Sequence, residues 1–287
     1  MHETNYLYNK ECPVSILEFD TISDIAKCVK EGTPSLWFDK RQVSHEISDD
    51  RTDFCKTRTF TDAYNMLTEG WYEGSKKLEK CLALDKGSML NKLERKFVQD
   101  VVGFQPIVAN YLMGIPKSMV NSKMVMRKEK VVTLNYCASF SGAVSANTIE
   151  ENCITAFRIV KAIEAAGTRV NLNVFYVGCV YNYQTSTKRY NLIKLRIKGA
   201  NERLNIAKMA FPMVHPSFLR RILFRVIEVS SSFTREYVGN YGRVVSNDEF
   251  MRVFKDRLKG EYIIPTYIAD SIDWNEDAHM LDALIKV

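Results

Sequence analysis

The residues best placed to do chemistry come directly after a strand-like run at 130–136. Cys137, Ser139 and Ser141 alternate in a short turn that precedes a long helical segment. In open α/β sheets, ligands bind at the carboxyl ends of strands. The two hydroxyl groups therefore fit three interpretations: caps of a turn and helix, a cradle for an anion at the helix start, or oxygen ligands of a cation. Cys137 as a nucleophile would need a nearby base, for which His215 is the only candidate.

A second group of chemically capable residues is basic. Arg220, Arg221 and Arg225 fall in a predicted helix at 216–229, outside its broad apolar face. Arginine is a forked donor for carboxylates and phosphates, so one interpretation is an anion-binding or partner-binding site. The other is a solvated basic edge. For Arg225 we expect a structural or interface pairing with Glu228, three residues further along the helix.

A third group is the basic stripe, which we define as residues 188–208. Seven bases stand in it against Glu202 alone. Lys194, Arg196 and Lys198 alternate, so a regular strand would place all three side chains on one side. With several tyrosines nearby, such a surface suits a nucleic-acid backbone. Lysines that protect a sheet edge explain the same residues without a ligand.

The elements that must position these residues change in character along the chain. Helical signals dominate from residue 59 to about 126, including a predicted helix at 90–102, and a strand is expected at 14–19. A strand at 130–136, a helix at 146–166 and a strand at 170–177 form a βαβ unit, which predicts parallel pairing. We predict an α/β fold with a Rossmann-like, mostly parallel sheet flanked by helices. A mainly helical N-terminal region at 1–126 would precede an α/β domain at 127–287.

The turn at Cys137 resembles the metal-binding loop of von Willebrand factor A-type domains. Those domains hold a divalent cation with Asp-x-Ser-x-Ser, and here Ser139 and Ser141 match while Cys137 stands at the acid position. Hard cations prefer oxygen over a thiol. The resemblance therefore implies a von Willebrand A-like core whose metal site is degenerate.

Three short runs also resemble an uncharacterised family of tailed-bacteriophage proteins. They are residues 60–71, 102–116 and 215–221, with Phe-Thr-Asp-Ala-Tyr, Val-Gly-Phe-Gln-Pro and His-Pro at their starts. The resemblance implies a viral protein that acts in the cytoplasm of a bacterial host. It brings no established activity with it.

Composition narrows the function classes further. The 287 residues are 46% hydrophobic and carry a net charge of +6, which is ordinary for a globular protein. No apolar run approaches the roughly 20 residues of a membrane span, and seven widely spaced cysteines suggest reduced thiols rather than disulfides or a zinc site. Phosphate-binding glycine loops and nucleophile elbows are absent from the sequence.

The sequence thus leans away from an enzyme. We expect a cytoplasmic, non-enzymatic binding or scaffold protein without a cofactor, a bound metal or membrane contact. Its partner would be another protein or a second copy of the chain. The alternative is a nucleic-acid-associated protein that uses the basic stripe.

Overall fold

The structure is a computed structural model. It describes residues 1–9, 12–34, 55–83, 93–126, 130–140, 146–165, 167–182, 187–230, 241, 243–264 and 285–286. The strands are β1 (His2–Tyr8), β2 (Cys12–Phe19), β3 (Leu93–Asp100), β4 (Gln105–Pro106), β5 (Met119–Met126), β6 (Val131–Cys137), β7 (Arg169–Asn182), β8 (Thr187–Lys198), β9 (Arg243–Val244), β10 (Tyr262–Ile264) and β11 (Ile285–Lys286). The helices are α1 (Ile22–Glu31), α2 (Phe60–Glu69), α3 (Tyr72–Ala83), α4 (Val108–Leu112), α5 (Ala146–Ala165), α6 (Ile206–Val214), α7 (Phe224–Val229) and α8 (Asn247–Phe254). A π-helical turn (Phe218–Leu223) leads into α7.

The central sheet has the strand order β1-β2-β8-β7-β6-β10-β11, and β9 pairs with β7 beside this path. Among its first six strands, the pairings β2–β8, β7–β6 and β6–β10 are parallel, whereas β1–β2 and β8–β7 are antiparallel. The expected α/β class, with a mostly parallel sheet flanked by helices, is confirmed at this level. The βαβ prediction is also confirmed, because β6 and β7 pair in parallel on either side of α5.

Two apolar layers hold the helices against the sheet. The larger layer joins α1, α2, α3, α5, α6 and α7 to one face, around fully buried residues such as Phe157 and Phe211. The smaller layer joins α8 to the other face, where Phe250 stacks on Phe175 of β7 with ring centroids 5.1 Å apart. Capping boxes at Thr21 and Thr59 satisfy the free N–H groups that begin α1 and α2.

The prediction of a mainly helical N-terminal region is wrong. The residues described before 127 include five strands, and β1 and β2 join the central sheet through β8. From Leu93 to Asp100, the predicted helix at 90–102 is instead the strand β3. Leu93, Phe97 and Val101 caused the error, because a spacing of four residues puts side chains on one face of a helix and also on one face of a strand. The domain boundary at 126 stays a prediction, although the central sheet draws strands from both sides of it.

An arm, which we define as residues 93–126, forms a separate small sheet. Its strand order is β3-β5-β4, and β3 and β5 pair antiparallel along their whole length, with Phe97 opposite Ser122. The arm joins the rest of the chain at the Leu93 and Met126 ends. Residues 101–118 therefore lie at the far end of the hairpin, where β4 and α4 close it.

Candidate functional site

The turn after β6 places its described residues inside the protein. Cys137 is buried in the smaller apolar layer. The Ser139 hydroxyl is buried as well and accepts a hydrogen bond from the Val177 N–H at 2.7 Å, which ties the end of β6 to β7. Ser141 lies outside the described residues. No cluster of three metal-ligating side chains occurs in the described part of the chain.

His215 lies apart from Cys137. Its ring stacks on Phe211 at 5.3 Å and meets Trp71 edge-on at 4.8 Å, within the larger apolar layer. Its Nδ1 accepts a hydrogen bond from the Ser217 N–H at 3.2 Å. Burial lowers the pKa of His215 to about 4. The histidine is therefore a neutral core residue, and the structure places it in a different apolar layer from Cys137 rather than beside that thiol.

We expect this burial to make stability fall in mild acid. A folded pKa of about 4 lies below the ordinary 6.5, so the unfolded chain takes up this proton first, and the stabilisation present above pH 6.5 is lost as the pH falls toward 4. Each pH unit in that window costs about 1.4 kcal/mol. An NMR titration of the imidazole should show a midpoint near 4, and the His215→Gln variant should lose this part of the pH dependence. A midpoint near 6.5 would contradict the burial.

The three arginines of the predicted basic helix differ in exposure. Arg221 is fully buried and donates to the Thr57 hydroxyl at 2.9 Å and to the Thr57 and Arg58 carbonyls at 3.0 Å. Arg225 is buried too and pairs with Glu228 at 3.4 Å, which confirms the predicted pairing. Arg220 is partly exposed, and burial lowers its pKa. The interpretation as a solvated edge is therefore wrong for Arg221 and Arg225, which are buried and hold neighbouring segments together.

The basic stripe does not form one positive face. Lys194 pairs with Glu261 at 2.9 Å, and Arg196 lies 3.7 Å from Asp20. A register shift in the β7–β8 pairing leaves Ile197 without a partner, since Leu172 faces Lys198 and Asn173 faces Arg196. Such a bulge inserts one residue. Lys198 therefore departs from the alternation and is fully buried, with its Nζ 2.5 Å from Glu164 of α5.

A cavity of about 360 Å³ opens beside β2, β8 and α8. At its wall, Tyr190 donates to Glu249 at 2.5 Å, and Arg243 donates to both oxygens of the same carboxylate at 2.9 and 3.0 Å. Desolvation acts to raise the pKa of Glu249, but the bonds from Tyr190 and Arg243 outweigh it and hold that pKa below its usual value. Burial raises the pKa of the Cys12 thiol to about 11, so a reactive thiolate is scarce there at neutral pH.

The arm carries the largest group of exposed apolar side chains in the described chain. Nine of them are between 42% and 78% exposed: Phe97, Val101, Val102, Phe104, Val108, Tyr111, Leu112, Met113 and Ile115. The other large apolar residues with comparable exposure are scattered, namely Met1, Leu7, Tyr72, Val131 and Tyr181. Contiguous exposed apolar surface marks sites of interaction. The sequence analysis missed this surface, although residues 101–116 contain no charged residue.

Comparison with known proteins places the chain in one family. A family model described as Domain of unknown function (DUF7192) matches residues 5–286. The chain belongs to the DUF7192 family. Neither the curated proteins nor the solved structures yield a match. Membership in DUF7192 brings no activity with it, so the function of this member is argued from its own surfaces.

Proposed function

We propose that this chain is a non-enzymatic binding or scaffold protein that makes its contacts through the arm. The observation that carries the proposal is the exposure of nine large apolar side chains on a small sheet at the end of a hairpin. Leaving such side chains in water costs free energy, about 25 cal/mol for each Å² of apolar surface. Binding another component of the cell recovers that cost.

The non-enzymatic part of the proposal rests on how the candidate nucleophiles are placed. Cys12 has a raised pKa, Ser139 is bonded to a backbone N–H, and Cys137 lies in a different apolar layer from His215. The nucleic-acid alternative has less support, because Lys194, Arg196 and Lys198 all face carboxylates of the same chain.

Origin and location belong to the same proposal. Parallel pairing of β6 and β7 across α5 supports a von Willebrand A-like core, and the burial of Cys137 at the acid position supports a degenerate metal site. We further propose a cytoplasmic protein of bacteriophage origin. A protein partner and a second copy of the chain, which the sequence suggested, are two of the partners of the arm that cross-linking distinguishes.

Photo-crosslinking in expressing cells tests the proposal. Benzoylphenylalanine in place of Leu112, which is 78% exposed on the arm, should give at least tenfold more cross-linked product than the same group in place of Tyr72, which is 62% exposed on α3. Burial of the arm against a partner brings C–H bonds into reach of the probe, whereas water does not react. The mass of each product separates lipid, a second copy and another protein.

Equal yields at the two positions would refute a contact surface on the arm. Melting curves of both labelled proteins serve as the control. Surface substitutions of this kind change the free energy of unfolding by about 0.5 kcal/mol or less, so a large loss of stability would show that the arm belongs to the folded core instead.

A further inference from the structure

The far end of the arm has a composition that a protein surface rarely shows. Residues 101–116 include no Asp, Glu, Lys, Arg or His, and this uncharged tip lies between Asp100 and Lys117. We propose that the tip inserts into the surface of a lipid membrane that contains anionic lipids. The inference rests on the proposed function and names the partner of the same surface. It departs from the sequence expectation of no membrane contact, which considered spanning segments alone.

The geometry of the tip favours insertion among lipid chains over contact with a flat protein surface. Tyr111 and Leu112 end α4 and Met113 follows directly as its cap, and the three are 71%, 78% and 67% exposed. Successive residues of a helical turn point about 100° apart, so these three side chains project over a wide arc. A flat protein surface would cover one side of that arc. Lipid chains surround an inserted tip on every side.

The backbone of the tip is already hydrogen-bonded, which an apolar medium requires because it offers no water as a partner. Phe104 N–H donates to Val120 at 2.9 Å and Ile107 N–H donates to Ser118 at 2.7 Å. Within the turn at α4, the N–H groups of Tyr111, Met113, Gly114 and Ile115 donate to carbonyls of the tip at 2.9–3.1 Å. The Asn110 side chain donates to the Lys117 carbonyl at 3.3 Å. The tip can therefore leave water without stranding these donors.

Charge near the tip matches an anionic lipid surface. No acid follows Asp100 until Glu129, whereas Lys117 and Lys123 lie within that interval. Asp100 pairs with Lys123 at 3.1 Å, so these two charges balance each other. Lys117 is the first charged residue after the tip. Basic residues next to an inserted apolar segment attract anionic headgroups, and salt weakens that attraction. The amphipathic ring of Tyr111, which is 71% exposed, suits the level of the headgroups.

A spanning role is separate from this proposal. No helix among the described residues is long and apolar enough to cross a bilayer. The inserted element would be a hairpin tip that enters one leaflet, held by apolar burial together with charge attraction.

Vesicle sedimentation with the full chain tests the inference. The unmodified protein should sediment with vesicles of phosphatidylcholine and phosphatidylglycerol, and less with phosphatidylcholine alone. Leu112→Asn with Met113→Asn should weaken the partition coefficient at least tenfold. The matched control, Leu7→Asn with Tyr72→Asn, removes two apolar side chains away from the arm that are 60% and 62% exposed. It should stay within twofold of the unmodified protein. Lys117→Gln should weaken binding to the anionic vesicles alone.

No sedimentation of the unmodified protein, or equal sedimentation of tip and control variants, would overturn the lipid proposal. Sedimentation velocity of the same variants without vesicles, together with the cross-linked masses at Leu112, then decides the fate of the proposed function. Tip-dependent self-association or cross-linking to a protein would keep a binding arm with a different partner. If the arm contacts neither lipid, a second copy of the chain nor another protein, the proposal that it is a binding surface is wrong. Circular dichroism of each variant confirms that the fold is intact.

Discussion

Replacing Arg225 by methionine is expected to lower the free energy of unfolding by about 3–5 kcal/mol, because removing one partner of a buried ion pair leaves the other charge stranded. Glu228 is fully buried and lies 3.4 Å from the Arg225 guanidinium. Arg225 also donates to the carbonyls of Val29 at 3.4 Å and Gly32 at 3.1 Å. The variant therefore loses the link between α7 and the end of α1, and urea unfolding measures the loss.

Arg196→Met provides the matched control. Arg196 is 44% exposed and 3.7 Å from an exposed Asp20 carboxylate, and exposed pairs contribute at most about 1 kcal/mol. Adding Glu228→Leu to the Arg225→Met variant should restore part of the stability, since it removes the stranded charge, although Tyr241 then loses the acceptor it bonds at 2.8 Å. A loss for Arg225→Met no larger than for Arg196→Met would show that the pair is accessible to water.

The pairing of Arg225 with Glu228 was predictable from the sequence, but the burial of the two side chains was not. The spacing of three residues on a helix indicated the contact, whereas charged side chains outside an apolar face ordinarily predict a surface. The difference arises because four consecutive residues of α7, from Arg225 to Glu228, are all buried. Consecutive residues of a helix point about 100° apart, so this helix is covered on all sides rather than on its apolar face alone. The end of α1 covers Arg225 and Tyr241 covers Glu228, and the sequence does not mark either of these distant contacts.

The sheet was predictable where apolar character and alternation agree. The strands at 130–136 and 170–177 follow from β-branched, apolar runs, and their parallel pairing follows from the helix between them. Alternation failed at the basic stripe, because a bulge at Ile197 depends on the partner strand. It failed again at β3, whose apolar spacing fits two kinds of element.

The candidate functional sites were also predictable only in part from the sequence. The turn at Cys137 was located correctly at the end of a strand, but the sequence could not show that the Ser139 hydroxyl would bond to β7. The arm was missed because residues 59–126 were predicted to be mainly helical, whereas residues 93–126 form a small sheet. A 16-residue run without charge, next to Lys117, was the available signal. The exposure of these side chains distinguishes a contact surface from a core, and that exposure is known only from the structure.

Lys198→Met is the second substitution with a large expected effect, again a loss of about 3–5 kcal/mol in the free energy of unfolding. The Lys198 ammonium is fully buried and lies 2.5 Å from Glu164 near the end of α5. It also donates to the Val170 carbonyl at 3.1 Å and the Gly199 carbonyl at 3.3 Å. Its removal leaves a carboxylate that is 10% exposed without its cation.

The same substitution at Lys77 is the control, since Lys77 is 69% exposed and pairs with Glu150 at 2.7 Å across the surface. We expect less than about 1 kcal/mol there. A double-mutant cycle with Glu164→Leu isolates the coupling, and the double variant should be more stable than Lys198→Met alone because no charge is stranded. Equal losses at Lys198 and Lys77 would mean that Lys198 reaches water.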